Sequence, residues 1–258
     1  METIDVQRSD GVVTITLDRP AKKNAINGLM WDELLATFHE IAGSSTDRVV
    51  VLTGAAGAFC SGADLTGGGA GGPERHQLAA MRHVSSVCLA QARLPQPIIA
   101  KVRGVAVGAG CNMALGCDLV VASTTARFSE IFARRGLSVD YGGTWVLPRL
   151  VGMHKAKELA LFADIIDAAE AERIGLVNRV VDDAELDAFV DDWARRLAAG
   201  PPIALAMTKR MLNNSMNVTL EEALDDEGVA QTVNFSTRDT MEAMAAFVER
   251  REPRFQGR

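Results

Sequence analysis

Two loops of small residues and one aspartate hold the chemistry-bearing positions of this sequence. Gly54–Leu65 reads GAAGAFCSGADL and follows the apolar run Val49–Thr53. Gly104–Asp118 reads GVAVGAGCNMALGCD and follows a second apolar run, Pro97–Arg103. Gly108 and Gly110 flank Ala109, and residues this small let a backbone approach a ligand and present bare N–H groups. Two such loops could aim two amides at one developing negative charge. Asp140 lies in GLSVD, just ahead of Gly142-Gly143-Thr144. A carboxylate in that place either caps a helix starting at the glycines or moves a proton. The two roles compete, because hydrogen bonds donated to a capping carboxylate make it a weaker base.

Elements able to position these groups can be read along the chain. Residues 2–8 and 11–18 form two strands around Ser9-Asp10-Gly11. Arg19-Pro20 ends the second strand, and Asn27 is placed to cap a helix reaching Ala42. Arg48–Thr53 is a buried, parallel strand. Thr66–Pro73, TGGGAGGP, is a glycine-rich loop expected to be mobile and close to the site. Glu74–Arg93 is a helix, and Ile98–Val102 and Asp118–Ala122 are strands. A helix starts near Gly142 and stops at Leu150–Gly152. Helices follow at 154–162 and 168–174, and a short strand at Leu176–Val181. From Ala184 the pattern is helical throughout, at about 184–199, 201–215, 219–234 and 238–250. The recurring order of strand, glycine loop, helix and strand suits a stack of similar turns better than a doubly wound dinucleotide fold.

The bulk composition excludes several classes. The chain has 258 residues, 48% of them hydrophobic, and a formal net charge of −6. That suits a globular α/β protein and gives no general electrostatic case for nucleic acid or an anionic membrane. No apolar run reaches membrane-spanning length, and METIDVQRSDG does not read as a secretory signal. Cys60, Cys88, Cys111 and Cys117 lack zinc-like pairing and read as free thiols of a cytoplasmic protein.

The chain resembles the crotonase, or enoyl-CoA hydratase/isomerase, superfamily over essentially its full length. The resemblance rests on the order and spacing of Arg19-Pro20 with Asn24-Ala25, Phe59–Leu65, Gly104–Asp118, Gly142-Gly143-Thr144, Leu147–Gly152 and Glu172–Val181. It implies an α/β spiral of repeated β-β-α turns over residues 1–183, binding acyl-CoA. A helical C-terminal region, 184–258, would serve oligomerisation and site closure, as a homotrimer or a hexamer of two trimers. It also implies that the amides of Ala63 and Ala109 hold a thioester oxygen. No cofactor is expected, coenzyme A being part of the substrate, and no metal.

The two glutamates that hydratases of this family use would fall at Asn112 and Phe132, and neither is an acid. Ordinary hydration is therefore not expected. Glu130 lies two residues from Phe132, which on a helix would point it elsewhere. Asp140 is left as the informative acid, at the position where double-bond-shifting members carry a single Asp or Glu. The sequence is especially similar there to the ring-opening isomerases of phenylacetate degradation. One carboxylate suffices to take a proton from one carbon and return it two carbons away. An isomerase using Asp140 is therefore expected over a hydratase.

The alternatives are an atypical hydratase or hydrolase with Asn112 placing water, a dehalogenase-like enzyme, and a non-catalytic acyl-CoA binder. The dehalogenase reading needs a histidine base, and His83 stands about two residues from its place, with Ser85 nearer. Phe128, Phe132 and Trp145 read as acyl-pocket walls or as plain core, with Gly108 and Asn112 beside the acyl group. The resemblance places Arg19, Lys22, Lys23, Ala25, Ser61, Asp64 and Leu65 around coenzyme A. Arg251 and Phe255 would close its adenine end.

Overall fold

The computed structural model describes residues 1–67 and 76–258. Most of the glycine-rich stretch Thr66–Pro73, and the first residues of the helix expected from Glu74, lie outside the described residues. Strands β1 (Ile4–Ser9) and β2 (Val12–Leu17) form a hairpin closed by Asp10 and Gly11, both at positive φ, 52° and 80°. Helix α1 (Gly28–Gly43) starts at Asn27, whose side chain accepts the Met30 amide at 2.9 Å. Then come β3 (Val49–Gly54), α2 (Gln77–Ala92), β4 (Ile98–Val102), β5 (Val105–Val107), α3 (Ala109–Leu115), β6 (Leu119–Ser123) and β7 (Arg127–Ser129). A 3₁₀ turn over Ile131–Arg135 leads to α4 (Gly143–Phe162), β8 (Ile166–Asp167), α5 (Ala168–Arg173) and β9 (Arg179–Val181). The chain closes with α6 (Leu186–Ala198), α7 (Pro202–Asn214), α8 (Leu220–Phe235) and α9 (Arg238–Glu249).

Two sheets result. The first has the order β1-β2-β3-β4-β6-β9, parallel from β2 onward, and the second the order β5-β7-β8. The central strands are apolar at consecutive positions because both faces of the sheet are covered. Val50, Leu52, Ile98 and Ala100 point into the main core, with residues of α1, α2 and α3. Val49, Val51, Ile99 and Val121 point the other way, onto Leu186, Val190 and Ala194 of α6. The alternation of side chains along a strand explains this division. It also makes α6 a cover for the sheet, whereas α7–α9 leave many large apolar side chains in solvent. This is the α/β fold of repeated β-β-α units with a helical C-terminal region that the sequence suggested. The unforeseen part is β5: Val105–Val107, inside the small-residue stretch, is a strand paired with β7. The two helices expected on either side of Gly152 are both present within α4, separated by a kink where Gly152 takes the non-helical φ 75° and ψ 162°.

Candidate active site

The two small-residue loops meet at one isolated parallel bridge, and a second such bridge ties the first loop to Ile26. Cys60 bridges Ala106: its amide donates to Val105 O at 2.8 Å and its carbonyl accepts from Val107 N at 2.9 Å. Ile26 bridges Ala63, donating to Gly62 O at 2.9 Å and accepting from Asp64 N at 2.8 Å. In a parallel bridge the residue facing that donor–acceptor pair turns its own N–H the other way. The Ala63 amide is therefore free to point off the strand edge. Gly108 opens α3 at φ 57° and ψ −127°, a conformation open to glycine, and Ala109 supplies the first helical amide, which has no intrahelical partner. A Cβ built on Gly62 would lie 3.8 Å from the Ala109 nitrogen, and one on Gly110 would strike Cys60 Cβ at 2.6 Å. Glycines thus bring the Ala63 and Ala109 segments side by side. The ring of Phe132, 5% exposed, packs 3.7 Å from a Cβ position at Gly108, so an apolar wall stands beside these amides.

Asp140 is held from both sides. Its carbonyl accepts from Asn112 Nδ2 at 2.8 Å, and Asn112 has room because Gly143 carries no side chain to collide with it. The next residue, Tyr141, is buried, stacks on Trp31 with ring centroids 5.4 Å apart, and donates its hydroxyl to Gln91 at 2.8 Å. The Asp140 carboxylate is not a helix cap. Helix α4 starts after Gly142 with no side-chain cap, and the Gly143 amide goes to the Asp140 carbonyl at 3.0 Å. Oδ1 of Asp140 is buried without a protein partner among the described residues, and burial raises this carboxyl from its ordinary value to about 6.

Glu130 stands in the same cluster, contrary to the expectation that it points elsewhere. It is 2% exposed, and Asn112 Nδ2 donates to its Oε2 at 3.2 Å. Burial pushes its carboxyl up to about 7; hydrogen bonds from Cys111 and Asn112 oppose the rise, and the Asp140 charge adds to it. One amide side chain thus joins the Glu130 carboxyl to the backbone of Asp140, and the carboxyls of both residues are raised. Asn112 itself is 1% exposed, which places it inside the cluster and not on a helix surface.

The other expected positions divide. Phe128 is 1% exposed within the main core. Trp145 is 43% exposed, its ring covered by the Arg149 guanidinium at 3.9 Å. Arg19 bonds the Ala25 carbonyl and pairs with Asp64 at 2.9 Å. Hydrogen bonds from Thr66, and then the Arg19 contact, hold the Asp64 carboxyl down at about 2. Ser61 donates through Oγ to Lys22 O at 3.0 Å and through its amide to Lys23 O at 3.0 Å. Arg19, Ala25, Ser61 and Asp64 are thus brought together, with the exposed Lys22, Lys23 and Leu65 at the rim. Within one chain Arg251 and Phe255 are not brought there, so closing the adenine end would require them to reach across a subunit boundary. Arg251 is tied to Glu242 and Glu249, and the Phe255 carbonyl meets Arg48 at 3.4 Å, at the opposite end of β3 from Gly54. His83 Nε2 lies 2.8 Å from Asp32 of α1, which accounts for it without a catalytic role. Among the described residues no group of His, Cys, Asp and Glu could hold a metal ion, and no helix is long and apolar enough to cross a membrane.

Residues 7–258 match the family model for Enoyl-CoA hydratase/isomerase. The chain belongs to that family. It is 41% identical to a protein of Rhodobacter capsulatus named Probable enoyl-CoA hydratase, over 99% of this chain and 98% of the relative. It is 36% identical to the 1,2-epoxyphenylacetyl-CoA isomerase of Escherichia coli, over all of both chains. The crystal structure of an enoyl-CoA hydratase from Bacillus anthracis superposes with a TM-score of 0.95 at 34% identity, covering all of both chains. The expectation of an isomerase over a hydratase is therefore overturned. The 41% relative bears a hydratase name, and the premise that only one acid is present fails with Glu130 beside Asn112.

Proposed function

We propose that the protein performs acid–base chemistry on an enoyl-CoA thioester through its enolate. The amides of Ala63 and Ala109 hold the thioester oxygen and Asp140 carries the proton. The observation that carries this reading is the Asp140 carboxyl: buried, raised to about 6, capping no helix, and with one oxygen free of protein partners. Such a group is basic enough to take a proton near neutral pH and is not neutralised by a structural partner. In water addition, the Asp140 carboxylate takes a proton from water as the water oxygen bonds to C3, the C2–C3 π electrons move into the enolate, and the Asp140 carboxyl then returns that proton to C2. In double-bond migration a 3-enoyl thioester loses a C2 proton to the carboxylate, and the resulting dienolate is reprotonated at C4. Both routes need the same two amides, because negative charge collects on the same oxygen.

Hydration is the first activity to test, given the hydratase name of the 41% relative. Migration or a related ring rearrangement is the second reading, supported by Phe132 where an acid was expected and by the 36% isomerase relative. Arg19 with Asp64, Ser61, Lys22 and Lys23 form the coenzyme A edge, the lysines meeting phosphate. The active form is a homotrimer or a hexamer of two trimers, which would cover the large apolar side chains exposed on α7–α9, such as Leu220, Phe235 and Phe247.

The test follows a 2-enoyl-CoA and a 3-enoyl-CoA in deuterated water by mass spectrometry. Deuterium is expected at C2 of the hydrated product, or at C4 of the migrated one. Asp140→Asn is expected to lower either rate roughly 10²–10⁴-fold. Unchanged turnover in Asp140→Asn would remove Asp140 from the mechanism.

A further inference from the structure

The Glu130–Asn112–Asp140 chain of contacts is unexplained by a site in which Asp140 acts alone. Asn112 uses both hydrogens of one amide nitrogen, one toward Glu130 Oε2 at 3.2 Å and one toward the Asp140 carbonyl at 2.8 Å. The oxygens Glu130 Oε1 and Asn112 Oδ1 are buried with no partner among the described residues. A carboxyl in such surroundings is costly in its ionised form. The groups facing Glu130 are the Cys111 thiol and the Asn112 amide of α3, and the Asp140 carboxylate ahead of α4. None of these is a cation. Ionising Glu130 would therefore place a second negative charge beside Asp140, with no cation among the groups that face it in the described residues.

We propose that Glu130 is a positioning residue that works in its protonated form, fixing the Asn112 amide and through it the Asp140 backbone, and that its ionisation slows the enzyme. The kinetic half of this proposal rests on the enoyl-CoA reading above; the structural half does not. Asp140, the more acidic of the two, ionises first and becomes the base while Glu130 still holds its proton. Turnover is then expected to rise with pH through about 6 and to decline through about 7. The apparent values belong to the pair.

The first arm reads the carboxyls directly, by infrared titration of the free protein. The wild type is expected to show protonated-carboxyl absorption that disappears in two steps, near 6 and near 7. Glu130→Gln should abolish the upper step alone. Asp140→Asn should abolish the lower step and bring the remaining midpoint to lower pH, because the neighbouring charge is gone. An upper step that survives in Glu130→Gln overturns the proposal, whether or not any acyl-CoA is turned over. The second arm is kinetic. Glu130→Gln keeps an acceptor for Asn112, so it should retain activity near pH 6 and lose the alkaline decline. Glu130→Ala should lower kcat roughly tenfold with KM nearly unchanged. A wild-type alkaline decline in Glu130→Gln, or an unchanged kcat in Glu130→Ala, would show that Glu130 is only packing. Correct infrared steps with no turnover of any enoyl-CoA would place the failure in the enoyl-CoA reading.

Discussion

Replacing Gly62 with alanine tests whether the paired amides are set by the backbone. Gly62 sits at φ 96°, and its added methyl would lie 2.9 Å from the Val107 carbonyl oxygen. That oxygen cannot easily retreat: Val107 N is bonded to Cys60 O at 2.9 Å, and Gly108 N to Ser129 O at 2.8 Å. Relief must come from movement of the Gly62–Ala63 segment itself, by a few tenths of an ångström, against its two bonds to Ile26. An L-residue at such a φ costs about 1–2 kcal/mol, and the contact adds to it, so a loss of about 2–3 kcal/mol is expected. Removing one oxyanion donor costs about 10²–10³ in kcat elsewhere. Partial displacement of the Ala63 amide should cost about 10–100-fold in kcat, with KM changing little. Gly57→Ala is the control in the same loop: φ is 73°, but nothing lies within 4 Å of its added methyl. It should lose stability through backbone strain alone and keep its kcat. The assays are denaturant unfolding and absorbance-monitored turnover of an enoyl-CoA. If Gly62→Ala loses stability as Gly57→Ala does and keeps wild-type kcat, the two-amide reasoning is wrong.

Three further outcomes follow from the same structure. Burial raises Glu130 from an ordinary value of 4.5 to about 7, so between these values the folded chain holds a proton the unfolded chain has released. Stability present below 4.5 is therefore lost as pH rises through about 7, and Glu130→Gln should gain melting temperature relative to wild type at pH 8 but not at pH 4. An equal difference at both pH values would contradict this. Lys22→Ala with Lys23→Ala should raise KM for the thioester severalfold at low salt, less at high salt, and leave kcat unchanged; a salt-independent effect would count against phosphate contact. Phe247, 84% exposed on α9, should tolerate aspartate as a folded chain while shifting the assembly to smaller species in light scattering. A wild-type mass in Phe247→Asp would exclude that face from the interface.

Much of the fold was legible because both periodicities were strong. Val49–Leu52 and Ile98–Ala100 are apolar at successive positions, as strands covered on both faces must be, and Asn27 marks the start of α1. The site was legible in its glycines, since Gly62, Gly108 and Gly110 stand where another backbone or side chain leaves no room for a Cβ, or where φ is positive. Tyr141 carried no such signal. Its buried stack on Trp31 and its bond to Gln91 join residues 110 and 50 positions apart in sequence.

The misplacement of Glu130 has a conformational cause, and it bears on the chemistry. Counting two residues back from Phe132 on an α-helix turns a side chain well away from the original direction. The segment is no α-helix. Strand β7 ends at Ser129, Glu130 takes φ −84° and ψ 58°, and the tighter 3₁₀ turn begins only at Ile131. At such a junction the side chains of Glu130 and Phe132 both turn inward, the first onto Asn112 and the second against Gly108. An acid two residues out of its expected place therefore still reaches the cluster, while the expected place becomes an apolar wall. A missing acid at Phe132 thus gives no ground for excluding water addition. What distinguishes the reactions is where oxygen and deuterium end up on the thioester, and the two-step titration tests the separate claim that Glu130 keeps its proton while Asp140 works.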